Sequence, residues 1–123
     1  MATLKFVVHE HFSRTHHFDL RLEHGGALES WAVPKGMPEG NEKRLAVYTE
    51  PHALEYGSFE GEIPEGEYGA GRVEIWDEGE LRVEEWTGKK IVFALEGRRL
   101  DGIFVLVKTG MGAKSWLVFR KRR

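Results

Sequence analysis

His17-Phe18-Asp19-Leu20-Arg21-Leu22-Glu23 alternates polar and apolar side chains without a break. Successive side chains of an extended strand point to opposite faces, so this period of two predicts a half-buried β-strand and not a helix. Phe18, Leu20 and Leu22 make the face that anchors the strand, and His17, Asp19, Arg21 and Glu23 make the other. Gly25-Gly26 follows, a dipeptide suited to the positive-φ positions of a tight hairpin turn. A second predicted strand begins at 28 and ends at 33.

The same grammar continues outward in both directions. Fifteen glycines and four prolines cut the 123 residues into short segments. Strands are predicted at 4–9, 17–23, 28–33, 44–49, 70–76, 80–86, 90–96, 102–108 and 115–120. Glu78-Gly79 reads as another hairpin turn, and only 51–57 reads as a helical turn. Ile91-Val92-Phe93 and Ile103 to Val107 are apolar on both faces and should carry the core. The expected fold is mainly all-β: one domain, residues 1–123, forming a small antiparallel β-barrel of about eight strands with one or two short helical turns. Closure removes the exposed edges that many short strands would otherwise present; a β-sandwich is the alternative.

Composition narrows the function. Hydrophobic residues make up 41%, which excludes a disordered chain. With no cysteine there is no disulfide framework, and any metal must be held by nitrogen and oxygen. No signal peptide and no apolar run long enough to cross a bilayer is seen, so a cytoplasmic, non-membrane protein, acting as a monomer, is expected. Net charge is −2, but it is unevenly spread: residues 55–85 hold 11 acids and 2 bases, and residues 86–123 hold 2 acids and 10 bases, ending in Arg120-Lys121-Arg122-Arg123. Either the basic third attracts a polyanion, or acidic and basic strands pair across a sheet.

Five of the six histidines lie in the first 24 residues. On strand 17–23, like-facing neighbours are roughly 7 Å apart, so His17 and Asp19 can reach one ion. His11, six residues earlier and just past the first strand, is the best third ligand. Two imidazoles and a carboxylate suit Mn, Fe or Zn, and three protein ligands leave positions open for water and substrate. Arg21 stays protonated and is no ligand, but its planar fork suits a phosphate or a carboxylate. His9 and His16 are expected to face away from the site or lie in the loop and are read as structural, and His24, at a hairpin tip, as solvated. Lys35 at a Pro/Gly turn, Arg44 at a strand start, and His52 with Tyr56 four residues on add cations and hydrogen-bond donors of the kind that hold a phosphoryl group.

Here the sequence resembles the 3′-phosphoesterase domain of bacterial DNA ligase D and its stand-alone archaeal and bacterial relatives. The pattern is a His, five residues, then His-x-Asp-x-Arg: His11, then His17-Phe18-Asp19-Leu20-Arg21. It continues through Ser30 to Gly36, Arg44 to Val47, His52 with Tyr56, Phe59 to Gly69, and Phe93, Leu95, Gly97, Leu100, Gly102, Phe104 to Leu106 and Trp116-Leu117. The resemblance implies a β-barrel whose crater holds a divalent metal, usually Mn2+, with Zn2+ or Co2+ as alternatives. It implies His11, His17 and Asp19 as metal ligands, Arg21, His52 and Tyr56 as catalytic phosphate contacts, and Lys35 and Arg44 as further phosphate-binding residues. The implied reaction removes a 3′-phosphate from DNA and trims 3′-ribonucleotides from RNA-tipped primer–template ends, in repair by non-homologous end joining. Ligase and polymerase would be separately encoded partners. Ligase-fused members have extra residues before the first strand that support the diesterase step. Met1 lies ten residues before His11, so monoesterase activity is the firmer expectation.

A sulfur-free ligand set that includes a carboxylate also favours Mn over Zn. His52 could hydrogen-bond the phosphate or protonate the leaving 3′ oxygen. Two rival readings are an Fe(II) oxygenase with His17, Asp19 and His52 as its facial triad, and a non-catalytic nucleic-acid module using Trp116, Phe119 and Arg120.

Overall fold

The computed structural model describes residues 3–121, so Arg122 and Arg123 of the basic tail lie outside the described residues. Nine antiparallel strands and one short helix follow one another: β1 (Leu4–Phe12), β2 (His16–His24), β3 (Ala27–Val33), β4 (Arg44–Ala53), a 3-10 helix η1 (Leu54–Ser58), β5 (Gly61–Ile63), β6 (Gly71–Trp86), β7 (Lys90–Gly97), β8 (Asp101–Lys108) and β9 (Ser115–Arg120). The sheet runs β1-β2-β3-β4-β9-β8-β7-β6 and closes through β1–β6 into an eight-stranded barrel. β5 is an addition. Arg72 and Val73 pair with both β1 and β5, so β5 takes the edge of β6 that β7 takes further along.

The β2–β3 hairpin turns at Gly25 and Gly26, both at positive φ (61° and 85°), as an Asn-Gly-type turn requires. The predicted turn at Glu78-Gly79 is corrected: the two predicted segments are one 16-residue strand. Gly79 lies between Phe6 on β1 and Gly97 on β7. A Cβ there would run into the backbone carbonyl of Glu96, so this glycine marks a close approach of strands and not a turn. The first strand is also longer than predicted, reaching Phe12, so that His11 lies within it.

The barrel interior is filled from every wall. Phe6, Val8, Leu20, Leu22, Val33, Ile91, Phe93, Leu95, Phe104, Leu106 and Val118 are buried around Trp31. Trp31 meets Tyr48, Trp86 and Trp116 with ring centroids 5.5, 6.3 and 5.8 Å away. Phe18 is only partly buried and packs against this core from its border. The acidic and basic strands do not pair systematically: Glu80 faces Lys5 on one side and Glu96 on the other.

Asp77 is a buried carboxylate that the sequence did not single out. It accepts hydrogen bonds from the backbone N–H groups of Glu78, Arg98, Arg99 and Leu100, at 2.8 to 3.1 Å. It thereby ties the long β6 to the β7–β8 turn. Gly97 is needed beside it, because a Cβ there would strike the Asp77 carboxylate.

Candidate active site

With the apolar residues of β1 to β3 turned inward, their alternate residues face outward, and there the polar ones collect. The register sets His11 opposite His17, His9 opposite Asp19, and Val7 opposite Arg21. Across the next seam Asp19 faces Ala32 and Arg21 faces Ser30. Two small residues beside two functional ones leave a hollow over the sheet. η1 and the β5–β6 loop wall it, giving a cavity of about 490 Å³ lined by His11, His17, Asp19, Arg21, His52, Tyr56, Thr49, Ala32, Tyr68 and the 13–15 loop.

His52 joins this face through a bulge. Ser30 pairs with Thr49 and Leu28 with His52, so two residues of β3 are matched by three of β4. Strict alternation would set Thr49 and His52 on opposite faces. The extra residue around Glu50-Pro51 brings both to the cavity, the re-aiming that bulges near functional sites provide. His52 is therefore the end of a strand and not part of a helix, and its approach to Tyr56 (ring centroids 4.5 Å apart) does not arise from helical spacing.

His11, His17 and Asp19 converge, their potential ligand atoms all within 4.8 Å of one another. Each imidazole is held from behind. His11 Nε2 lies 2.8 Å from the Gly69 carbonyl, and His17 Nδ1 lies 2.7 Å from that of Thr15. A carbonyl only accepts, so those nitrogens carry the protons. His11 Nδ1 and His17 Nε2 then face Asp19 Oδ2 as lone pairs, at 3.6 and 3.4 Å. Fixing the tautomer through the outer nitrogen is the support that ligating histidines receive. Two lone pairs and a carboxylate facing each other repel unless a proton or a cation sits among them, so the donor set fits a divalent ion. Burial opposes ionisation of Asp19, but with a proton between them, hydrogen bonds from His11 and His17 and the charge of Arg21 outweigh it and hold its carboxyl below the usual range. Reciprocally, the bond to Asp19 raises His17 above an ordinary imidazole.

Arg21 is almost wholly buried, and each part of its guanidinium is engaged. Nε donates to His9 Nδ1 at 3.0 Å, Nη1 donates to Ser30 Oγ at 2.9 Å, and Nη2 lies 3.5 Å from Asp19. Its plane sits 4.9 Å from the centre of the Tyr56 ring. Burial lowers its pKa and Asp19 opposes that; the group remains a cation. His52 Nδ1 lies 3.3 Å from Arg21 Nη1 and 3.2 Å from the Glu50 carbonyl. It serves one at a time. When it accepts from Arg21, Nε2 carries the proton. Burial, then Arg21, lowers the His52 pKa, and burial raises that of Tyr56.

His9 corrects the reading that put it away from the site. It is fully buried on the same face as His11. Nε2 donates to the Phe59 carbonyl at 3.1 Å, Nδ1 accepts from Arg21, and the ring meets Tyr56 edge-on at 5.4 Å. Burial, then Arg21, pushes its pKa down to about 4, so the neutral ring keeps the lone pair that Arg21 needs. His16 does face away, paired with Glu10 at 2.8 Å and stacked on Phe12. His24 is not simply solvated: it is half-buried, edge-on to Trp86.

The structure does not bring Lys35 or Arg44 into the cavity. Lys35 is exposed in the turn after β3. Arg44 shares the strand parity of Ala46 and Tyr48, which face the core, and pairs with Glu42 at 3.9 Å. The oxygenase triad is not assembled either. Among the described residues the cluster is completed by His11, and His52 leans on Arg21 instead. Trp116 is buried in the core, Phe119 lies under Lys43, and Arg120 covers Phe104 and donates to the Asp101 carbonyl. Those C-terminal aromatics offer no stacking surface.

Comparison with known proteins places the chain in a family. The family model described as the DNA Ligase D 3′-phosphoesterase domain matches residues 9–108. The multifunctional non-homologous end joining protein LigD of Mycolicibacterium smegmatis is 44% identical over 130 aligned residues, covering 96% of this chain and 17% of that protein. The multifunctional non-homologous end joining DNA repair protein LigD of Mycobacterium tuberculosis is 47% identical over 121, covering 94% and 16%. The LigD of Pseudomonas aeruginosa is 39% identical over 132, covering 97% and 15%. The chain spans about a sixth of the length of these curated relatives. It belongs to the DNA ligase D 3′-phosphoesterase domain family.

Proposed function

We propose that this chain is a Mn2+-dependent phosphoesterase that heals nucleic-acid 3′ ends for non-homologous end joining in the cytoplasm. It would remove 3′-phosphates and trim 3′-ribonucleotides, leaving ends that a ligase or a polymerase can use. The observation that carries this reading is the single cavity in which a convergent His11–His17–Asp19 acceptor set adjoins the multiply anchored Arg21. His11, His17 and Asp19 would hold the ion. When bound, the ion supplies charge neutralisation at the phosphate and a water of lowered pKa.

The chain's own groups account for the rest. Arg21, fixed on three sides, offers its charge to phosphate oxygens without reorganising, the condition under which such donors lower a barrier most. His52, neutral because of its burial and of Arg21, can carry its proton on Nε2 and give a hydrogen bond to the phosphate; to protonate the departing 3′ oxygen it would first have to take up a second proton. Tyr56 is held between His52 and Phe59, and its raised pKa keeps the phenol a donor at neutral pH.

The test is digestion of end-labelled primer–templates bearing 3′-phosphate, 3′-ribonucleotide or 3′-hydroxyl ends, with Mn2+ and with chelator. The expected result is Mn2+-dependent release of phosphate, lost in His17→Ala and Asp19→Ala. Near-normal release by either variant, or in chelator, would end the reading.

A further inference from the structure

Tyr68 is the one aromatic residue of the cavity wall that the chemistry above does not use. It lines the cavity with His11, Asp19 and Arg21, yet it is 86% exposed. A tyrosine ring left in water this completely, at the mouth of a polar cavity, has given up the burial that would normally stabilise it. Its position is nevertheless fixed to the site. The next residue, Gly69, gives its carbonyl to His11 Nε2 at 2.8 Å, and Gly69 sits at φ 78°, a backbone conformation that favours glycine.

We infer that Tyr68 is a stacking platform for the base of the 3′-terminal nucleotide, placed so that the phosphate that nucleotide carries lies against Arg21. This rests on the reading of the cavity as the seat of a nucleic-acid 3′ end. The surrounding charge selects a base and not the sugar–phosphate backbone as the ligand. Tyr68 stands among exposed Glu62, Glu65 and Glu67, which repel phosphates, whereas a base is uncharged and has a π-face that any aromatic can meet. The cation on the rim is Arg14, exposed on the β1–β2 loop, and the backbone would pass on that side. Every base has such a face, so the platform confers selection for a base-bearing end and little preference among sequences.

The experiment compares release from a 3′-phosphate on an ordinary terminal nucleotide with release from one on an abasic terminal residue, in the same duplex and with Mn2+. Loss of one base–aromatic stack corresponds to about 5- to 150-fold. The wild-type protein should prefer the base-bearing end by a factor in that range in kcat/KM. Tyr68→Ala should bring that ratio close to one, and Tyr68→Trp should preserve it. A wild-type ratio near one, or an unchanged ratio in Tyr68→Ala, would overturn the inference. So would equal losses on both ends, which would show that Tyr68 acts only through Gly69 and His11. If no end is hydrolysed, the phosphoesterase reading fails, and a terminal 2-aminopurine still decides the stack. Its fluorescence should be quenched by the wild-type protein and not by Tyr68→Ala; absence of that difference would overturn the inference on its own.

Discussion

Replacing His9 tests whether the guanidinium beside the ligand cluster is held by design. In the folded protein His9 Nδ1 accepts from Arg21 Nε at 3.0 Å, and its other nitrogen donates to Phe59. His9→Leu fills the space but removes both bonds. The Arg21 Nε–H would be left buried without an acceptor, and hydrogen bonds to charged groups contribute about 1.5–3 kcal/mol. If Arg21 moves to relieve this, the loss falls on its interaction with the phosphate. It should then appear as a drop of about 10- to 150-fold in kcat/KM for 3′-phosphate release. His9→Gln keeps an oxygen acceptor for Arg21 and an N–H donor for Phe59, so it should stay within a few-fold of wild type. The assay is initial-rate phosphate release with Mn2+, with thermal melts to show that each variant is folded. A folded, fully active His9→Leu, or a His9→Gln that falls as far as His9→Leu, would show that His9 does not hold Arg21 for the phosphate.

Further predictions concern the frame around the site. The Tyr48 hydroxyl donates to Glu29 Oε1 at 2.6 Å, and this bond, with burial, pushes its pKa up to about 12 from an ordinary 10. A folded-state pKa above the unfolded one gives a stabilisation that is whole below pH 10 and is lost as pH rises toward 12. Glu29→Gln should return one phenolate transition toward pH 10 in an absorbance titration near 295 nm; an unshifted titration would contradict the assignment. Asp77→Ala removes the acceptor of four backbone N–H groups that join β6 to the β7–β8 turn. It should cost about 3 kcal/mol or more in denaturant unfolding, and a loss below about 0.5 kcal/mol would show that the turn does not depend on it.

The features legible in the sequence were those that repeat at a strand's own period. Phe18, Leu20 and Leu22 announced an inner face, so His17, Asp19 and Arg21 had to share the other, as they do. His11 was legible because a short hairpin after it returns the chain to face it with His17. What escaped were the breaks in period and the contacts between distant strands. The bulge at Glu50-Pro51 turns His52 to the site, and it appears only in the pairing of β4 with β3. Gly79 resembles a turn glycine because its real constraint, the Glu96 carbonyl on another strand, is remote in sequence. The role of His9 is not legible because its partners, Arg21 and Phe59, lie 12 and 50 residues away. Lys35 and Arg44 have the right chemistry for a phosphate but lie outside the cavity, which charge alone could not reveal.

The proposed chemistry stands on His11, His17 and Asp19, two imidazoles and one carboxylate on adjacent strands, seating a divalent ion. Calorimetric titration of Mn2+ into metal-stripped protein tests it most directly. One ion should bind per wild-type chain, with binding abolished in Asp19→Ala and His17→Ala although both variants melt cooperatively. Undiminished Mn2+ binding by either folded variant, or none by the wild-type protein, would contradict the account.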